Sequence, residues 1–201
     1  MLYSPAMPQP MREILEQFAR LNPPVFIMGG FAEAVLLGDD YDRPHKDLDL
    51  LARRDELAAL SAQLAALGLG PLATVLAGAQ GHPLLLRGQA GDLELELYVA
   101  RPEPAGCSFE VPAQGPAGRL RLFMPADTFD YPASRRDGLT IQTVSPLALA
   151  LMRASSAQTR HVGDKRARDL AMLARLRDMF LAGVAPEQLQ PRIEPAAQDK
   201  L

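Results

Sequence analysis

Apolar residues recur along this chain with two periods, and the change between them marks out its elements. Ile14, Leu15, Phe18 and Leu21 fall three or four apart and predict a helix over residues 11–21, which Asn22-Pro23-Pro24 stops. An apolar run of strand length follows at 24–28, then the Gly29-Gly30 pair, a short helix over 31–37 and a loop over 38–44. Asp55 caps a further helix reaching about residue 67, with Leu57, Leu60, Leu64 and Leu67 on one face. From 71 to 99 the apolar runs shorten to strand length between glycines, predicting hairpin-linked strands. Within them, residues 91–99 alternate strictly, with Asp92, Glu94 and Glu96 on one face and leucines on the other.

The text of 101–118 is rich in proline and glycine and predicts a surface loop with a short strand near 109–111. Short strands are predicted at 120–123 and 139–144. Ser145-Pro146 opens a helix over 146–157, and a last helix over 162–181 carries Leu170, Leu173, Leu176 and Phe180 on a face opposite several arginines. The segment 184–201 has too little apolar content to pack firmly and is expected to be a flexible tail.

Composition narrows the class. The 201 residues suffice for one good core, or for a catalytic domain with a small helical addition. A formal net charge of -3 provides no global positive field, which leaves nucleic acid to a local patch at most. The single cysteine, Cys107, excludes an intrachain disulfide framework. No signal-peptide pattern opens the chain and no apolar run approaches the roughly 18 residues of a membrane span, so the expectation is a cytoplasmic protein without a membrane partner.

The chemistry concentrates in residues 28–50. A glycine pair after a strand lets the backbone turn tightly and approach a phosphate, and a helix N-terminus behind it adds N–H groups for an anion. Asp47 and Asp49, two apart among Leu48, Leu50 and Leu51, send both carboxylates from one face of a strand. That pair suits a divalent cation such as Mg²⁺, which takes a few carboxylates plus substrate phosphates; the alternative is a pair neutralised by Arg43, Lys46 or Arg53-Arg54. Two ions need a third carboxylate, and Glu96 is the best candidate, as ligand or as base, with Glu94 and Asp92 on the same face. His45 either contacts phosphate or is simply exposed. Lys165 or Arg166 either reaches a triphosphate or belongs to a solvated helix face. His82 and His161 lack metal-spaced partners, and neither a P-loop nor a dinucleotide fingerprint is present.

In order and spacing, Gly29-Gly30, Asp47-Leu48-Asp49-Leu50 and a later strand carboxylate resemble the DNA polymerase beta-like nucleotidyltransferase superfamily. Gly30-Phe31-Ala32, Leu37-Gly38, Arg43-Pro44-His45-Lys46 and Glu96-Leu97-Tyr98 look like its small bacterial branch, which contains aminoglycoside and lincosamide nucleotidyltransferases and abortive-infection toxins. The Ser145 to Leu149 helix start and the helix from Arg160 to Leu173 look like that branch's C-terminal region. The chain departs in carrying Glu96 where relatives usually carry aspartate, and in a somewhat long stretch from Gly30 to Asp47. The resemblance implies an α+β fold: a mixed β-sheet core over 11–144 with flanking helices, then a helical region over 145–183. It implies transfer of a nucleoside monophosphate from an NTP, with two Mg²⁺ ions, to an acceptor hydroxyl or phosphate. Asp47, Asp49 and Glu96 would be catalytic and metal-holding; Gly29, Gly30, Arg43, His45, Lys46 and Lys165 would bind the nucleotide. The acceptor is a small molecule such as an antibiotic, or an RNA or protein target; nucleic acid enters only as acceptor. The alternative is a catalytically silent nucleotide-binding or interaction protein of a toxin-antitoxin or phage-defence pair, and a toxin-like protein would have a cognate antitoxin as partner.

Overall fold

The computed structural model describes residues 7, 9–39, 46–113, 118–159 and 164–196. Helix α1 (Gln9–Phe18) buries Met11, Ile14, Leu15 and Phe18, the stripe set by its apolar spacing. Strand β1 is only Phe26–Ile27, and α2 (Gly29–Leu37) begins directly on the glycine pair. Strand β2 (Asp47–Arg53) carries the aspartates, and α3 (Leu57–Ala66) follows a single tight turn. Strands β3 (Ala73–Ala77), β4 (Pro83–Ala90), β5 (Leu93–Glu103), β6 (Gly106–Pro112) and β7 (Arg119–Pro125) run on as hairpins. A small ribbon, β8 (Ser134–Arg136) with β9 (Leu139–Ile141), leads to helices α4 (Pro146–Thr159) and α5 (Asp164–Phe180), and β10 (Ile193–Pro195) comes last.

The main sheet is mixed, as expected. β1 pairs antiparallel with β2, β2 pairs parallel with β5, and β4 lies antiparallel on the other side of β5, with β3 outside it. The long strand β5 then passes its C-terminal end to β6, which continues through β7 to β10. One hydrophobic cluster joins the layers. Leu48 and Leu50 from β2, Leu95, Leu97 and Val99 from β5, and Leu60 and Leu64 from α3 are all fully buried in it. Ala148, Leu149 and Ala150 tie α4 to the same core.

Three expectations need correction. Residues 101–112 are not a surface loop: β5 extends to Glu103, and β6 pairs with both β5 and β7. Its alternation was hidden because Ser108 and Glu110 are buried polar residues, bonded to Glu103 and to Arg101 respectively, so the inward face does not read as apolar. The segment after Gly183 is not loose over its first part. A turn at Pro186–Leu189 leads to β10, whose backbone pairs with edge strand β7 while Arg192 stacks 4.0 Å over Phe123. Ladder pairing needs little apolar content, which is why a hydrophobicity argument missed it. On α5 the inward residues are Asp169 and Leu176, whereas Leu170 is half exposed. Leu173, Leu176 and Phe180 pack against the core as the stripe predicts, while Arg153 draws Asp169 inward beside the exposed Leu170. Among the described residues, no helix is long and apolar enough to cross a membrane.

Leu50 is fully buried between its partners Ile27 and Leu97 in the neighbouring strands. Leu50→Ala is expected to cost about 2–5 kcal/mol, read as a lowered urea midpoint. Asp47→Ala, at the exposed start of the same strand, is expected to leave that midpoint and the circular dichroism near wild type.

Candidate active site

The site is built where α2 meets β2. Met28 N–H donates to the Asp49 carbonyl at 2.9 Å, locking the end of β1 to the aspartate strand. The next residue, Gly29, has φ +66°, and a β-carbon there would fall on the Asp49 carboxylate. The glycine therefore admits a carboxylate as well as a tight turn. The first backbone N–H groups of α2 and the positive end of its dipole thus face the aspartates. Asp47 and Asp49 do leave from one face of β2. In the parallel register Asp47 lies beside Glu94 and Asp49 beside Glu96, so four acids form two adjoining rows.

The facing wall comes from the C-terminal helices. Gly29, Gly30, Phe31, Glu33, Asp47 and Asp49 line one side of a cleft of about 470 Å³, and Arg153, Lys165, Arg168, Asp169, Met172 and Arg175 line the other. Arg153 from α4 holds both walls. Its guanidinium is bidentate to Glu33 of α2, with one of the two bonds at 2.6 Å, and donates to Asp169 of α5 at 2.7 Å. Ser156 donates to the other oxygen of Asp169 at 2.7 Å. Glu33 and Asp169 are each only 2% exposed, a burial that two carboxylates accept when a guanidinium satisfies them. Arg175 forms a fork on Asp39, with bonds of 2.6 and 2.7 Å, just beyond the end of α2.

The predicted residues divide clearly. Gly29, Gly30, Asp47, Asp49 and Lys165 come together around the cleft. Lys46 is exposed at the edge of β2, where its carbonyl accepts the Glu94 N–H at 3.0 Å. Arg43 and His45 lie outside the described residues. Glu96 stands beside Asp49 but not among the residues lining the cleft; one of its oxygens is taken by Arg87, and the other accepts Tyr98 O–H at 2.9 Å. Sequence reasoning missed Glu33, Arg153, Asp169 and Arg175, and saw Arg168 only as part of a basic run. Only the arginine-rich α5 carried a signal, because pairings 16 to 136 residues apart leave no local pattern.

The electrostatics ask for a cation. Burial first, then the neighbouring Asp47 and Glu96, push the Asp49 carboxyl up to about 7. Among the described residues, no hydrogen bond or ion pair holds the side chain of Asp47 or Asp49. Hard oxygen donors on one strand face, crowded against each other, fit Mg²⁺. Among the described residues, no cluster of three or more His, Cys, Asp or Glu is placed to hold an ion. Burial raises the Tyr98 hydroxyl and, to about 11, the Cys107 thiol, so both remain protonated at neutral pH.

A glycine turn on a helix N-terminus, paired strand aspartates and a basic facing helix around one cleft define a nucleotidyltransferase. The chain belongs to the aminoglycoside-2''-adenylyltransferase family, whose model matches residues 10–113. No curated protein sequence matches it. Its fold is shared with the solution structure of the antibiotic-resistance factor ANT(2'')-Ia, at 18% identity over 90% of this chain and 85% of that one, with a TM-score of 0.58. The crystal structure of ANT(2'')-Ia in complex with adenylyl-2''-tobramycin is similar, at 19% identity over 89% and 90%, with a TM-score of 0.59. So is the lincomycin-bound lincosamide antibiotic adenylyltransferase LnuA, at 15% identity over 85% and 98%, with a TM-score of 0.54.

Gly29→Ala is expected to displace the Asp49 carboxylate and to cost about 1–3 kcal/mol of backbone strain, with turnover lost in protein that is still folded. Wild-type turnover in that variant would remove Asp49 from the site. The raised Asp49 pKa has a sign that can be checked. Between its ordinary range and about 7 the folded state holds a proton that the unfolded state has lost, so this group makes the metal-free protein less stable as pH rises through that window. Asp49→Asn removes the effect, and is expected to raise the metal-free melting temperature relative to wild type at pH 8 but not at pH 4.

Proposed function

We propose that this nucleotidyltransferase moves a nucleoside monophosphate from a Mg²⁺-bound NTP to a hydroxyl of a small, amine-bearing molecule of the antibiotic type. The observation that carries this reading is the cleft itself: paired aspartates beside a helix N-terminus on one wall, and Lys165 with Arg168 on the other. Its volume of about 470 Å³ is that of a small-molecule site.

Asp47 and Asp49 would hold the cation, which when bound neutralises charge on the phosphates and orients them for in-line displacement. The N–H groups at the start of α2 receive phosphate oxygens, and Lys165 and Arg168 draw the departing charge toward α5. The acceptor oxygen forms a bond to the α-phosphorus, the bond from that phosphorus to the bridging oxygen breaks, and pyrophosphate leaves with the electron pair. The acceptor's proton goes to solvent or to a carboxylate at the mouth of the cleft. There Asp47 is exposed, with Asp92 just before the adjoining strand, an acidic edge that favours an amine-bearing acceptor over a polyanionic one. An NTP co-substrate places the reaction in the cytoplasm.

The resemblance of fold to adenylyltransferases acting on tobramycin and lincomycin supports the small-molecule class. Incubation with each α-labelled NTP and a panel of aminoglycosides and lincosamides, followed by chromatography, is expected to move label to at least one small molecule. Asp47→Ala and Asp49→Ala are expected to lower that transfer by three orders of magnitude or more. Label appearing instead on RNA or protein of a cell extract would move the chain to the toxin-like branch, where a cognate antitoxin is the partner to seek. NTP binding without any transfer would support the silent reading, which the engagement of both Glu96 oxygens favours.

A further inference from the structure

The rows of acids on β2 and β5 are not equivalent. Asp47 and Asp49 line the cleft and are free of side-chain bonds among the described residues. Glu94 and Glu96, one strand away at roughly 4.8 Å, are both held by one residue. Arg87 of β4 stands opposite Glu96 in the antiparallel register; its Nε pairs with Glu94 at 2.6 Å and another of its nitrogens donates to Glu96. The second Glu96 oxygen accepts from Tyr98 at 2.9 Å. Tyr98 is in turn fixed edge-on against Phe109 of β6, ring centroids 5.6 Å apart, so Glu96 is clamped from two neighbouring positions. The glutamate side chain is long enough for its carboxylate to reach Arg87 of β4.

We propose that Arg87 takes the place of a second metal ion: its guanidinium neutralises the Glu94–Glu96 row, and the site holds a single divalent cation, on Asp47 and Asp49. The proposal rests on the nucleotidyltransferase reading of the cleft and departs from the three-carboxylate, two-ion arrangement that the sequence suggested. It makes Arg87 a positioning residue. A fixed positive charge bonded to Glu96 opposes a second divalent ion on that carboxylate, and both Glu96 oxygens are already engaged, so a second ion would have to displace Arg87. Glu96 then acts through the shape and charge of this pair and not as a ligand.

The test is electron paramagnetic resonance of Mn²⁺ bound to the full chain with a non-hydrolysable ATP analogue. Two ions in one site lie roughly 3.5–4 Å apart and couple magnetically, whereas one ion gives an isolated six-line spectrum. Wild type and Glu96→Gln are both expected to show the isolated spectrum, as is Arg87→Lys, which keeps the charge. Arg87→Ala frees both glutamates and is expected to show a coupled pair. A coupled pair in wild type, loss of the ion in Glu96→Gln, or a single ion in folded Arg87→Ala would each overturn the proposal; the wild-type spectrum needs no variant to fold. A coupled pair that vanishes in Asp49→Asn would sink the Arg87 assignment while leaving the nucleotidyltransferase site intact. Absence of protein-bound Mn²⁺ in wild type, or an ion that survives in Asp47→Asn/Asp49→Asn, would overturn both.

Discussion

The structure depends on the close approach of Gly29 to the Asp49 carboxylate. That contact requires a residue without a β-carbon, in a left-handed backbone conformation, at the first position of α2. It brings the positive end of a helix against two negative charges, a favourable arrangement that places backbone donors and carboxylates within one small volume. The hydrogen bond from Met28 to the Asp49 carbonyl keeps β1 in register with β2, so the helix cannot slide away from the strand. Backbone donors and paired carboxylates thereby come from one turn.

The C-terminal helices complete that volume. α4 and α5 meet α2 through Arg153, whose single guanidinium serves a buried carboxylate from each of the other two helices. Removing one partner of such a trio leaves an unpaired buried charge, so the three helices are tied by the complete set. Lys165 and Arg168 owe their position across from the aspartates to this junction. Asp39 and Arg175 make a second tie near the rim, and Arg136 caps α2 by donating to the carbonyls of Ala34 and Asp39. The cleft is therefore walled by residues from both ends of the chain.

Charge is distributed unevenly across the sheet. The β2 acids face the cleft without a hydrogen bond or ion pair to their side chains among the described residues, and burial raises the proton affinity of Asp49. The β5 acids, equally close to one another, are settled by Arg87. Two similar pairs on adjacent strands thus have opposite requirements: one calls for an external cation and the other already has an internal one. Farther along, Glu110 stands near Arg101, Arg119 and Arg121, and β6 and β7 use these pairs to carry polar residues into the interior.

The chain's own text determined the glycine turn, the same-face aspartates, the alternating acidic strand and the helices on either side, because each follows from spacing within a few residues. Residues 101–112 and the last strand were illegible for the opposite reason: buried ion pairs and edge-strand ladder bonds give a strand without an apolar signature. The cleft's far wall was equally hidden. Nothing local marks Glu33, Arg153 and Asp169 as partners, since each reads alone as an ordinary charged helix residue. Only the tertiary structure set Asp49 beside Glu96 and then set Arg87 upon Glu96. Strand order decides which carboxylates share a neighbour, and strand order is fixed by long-range pairing, whose energy no short window of sequence contains.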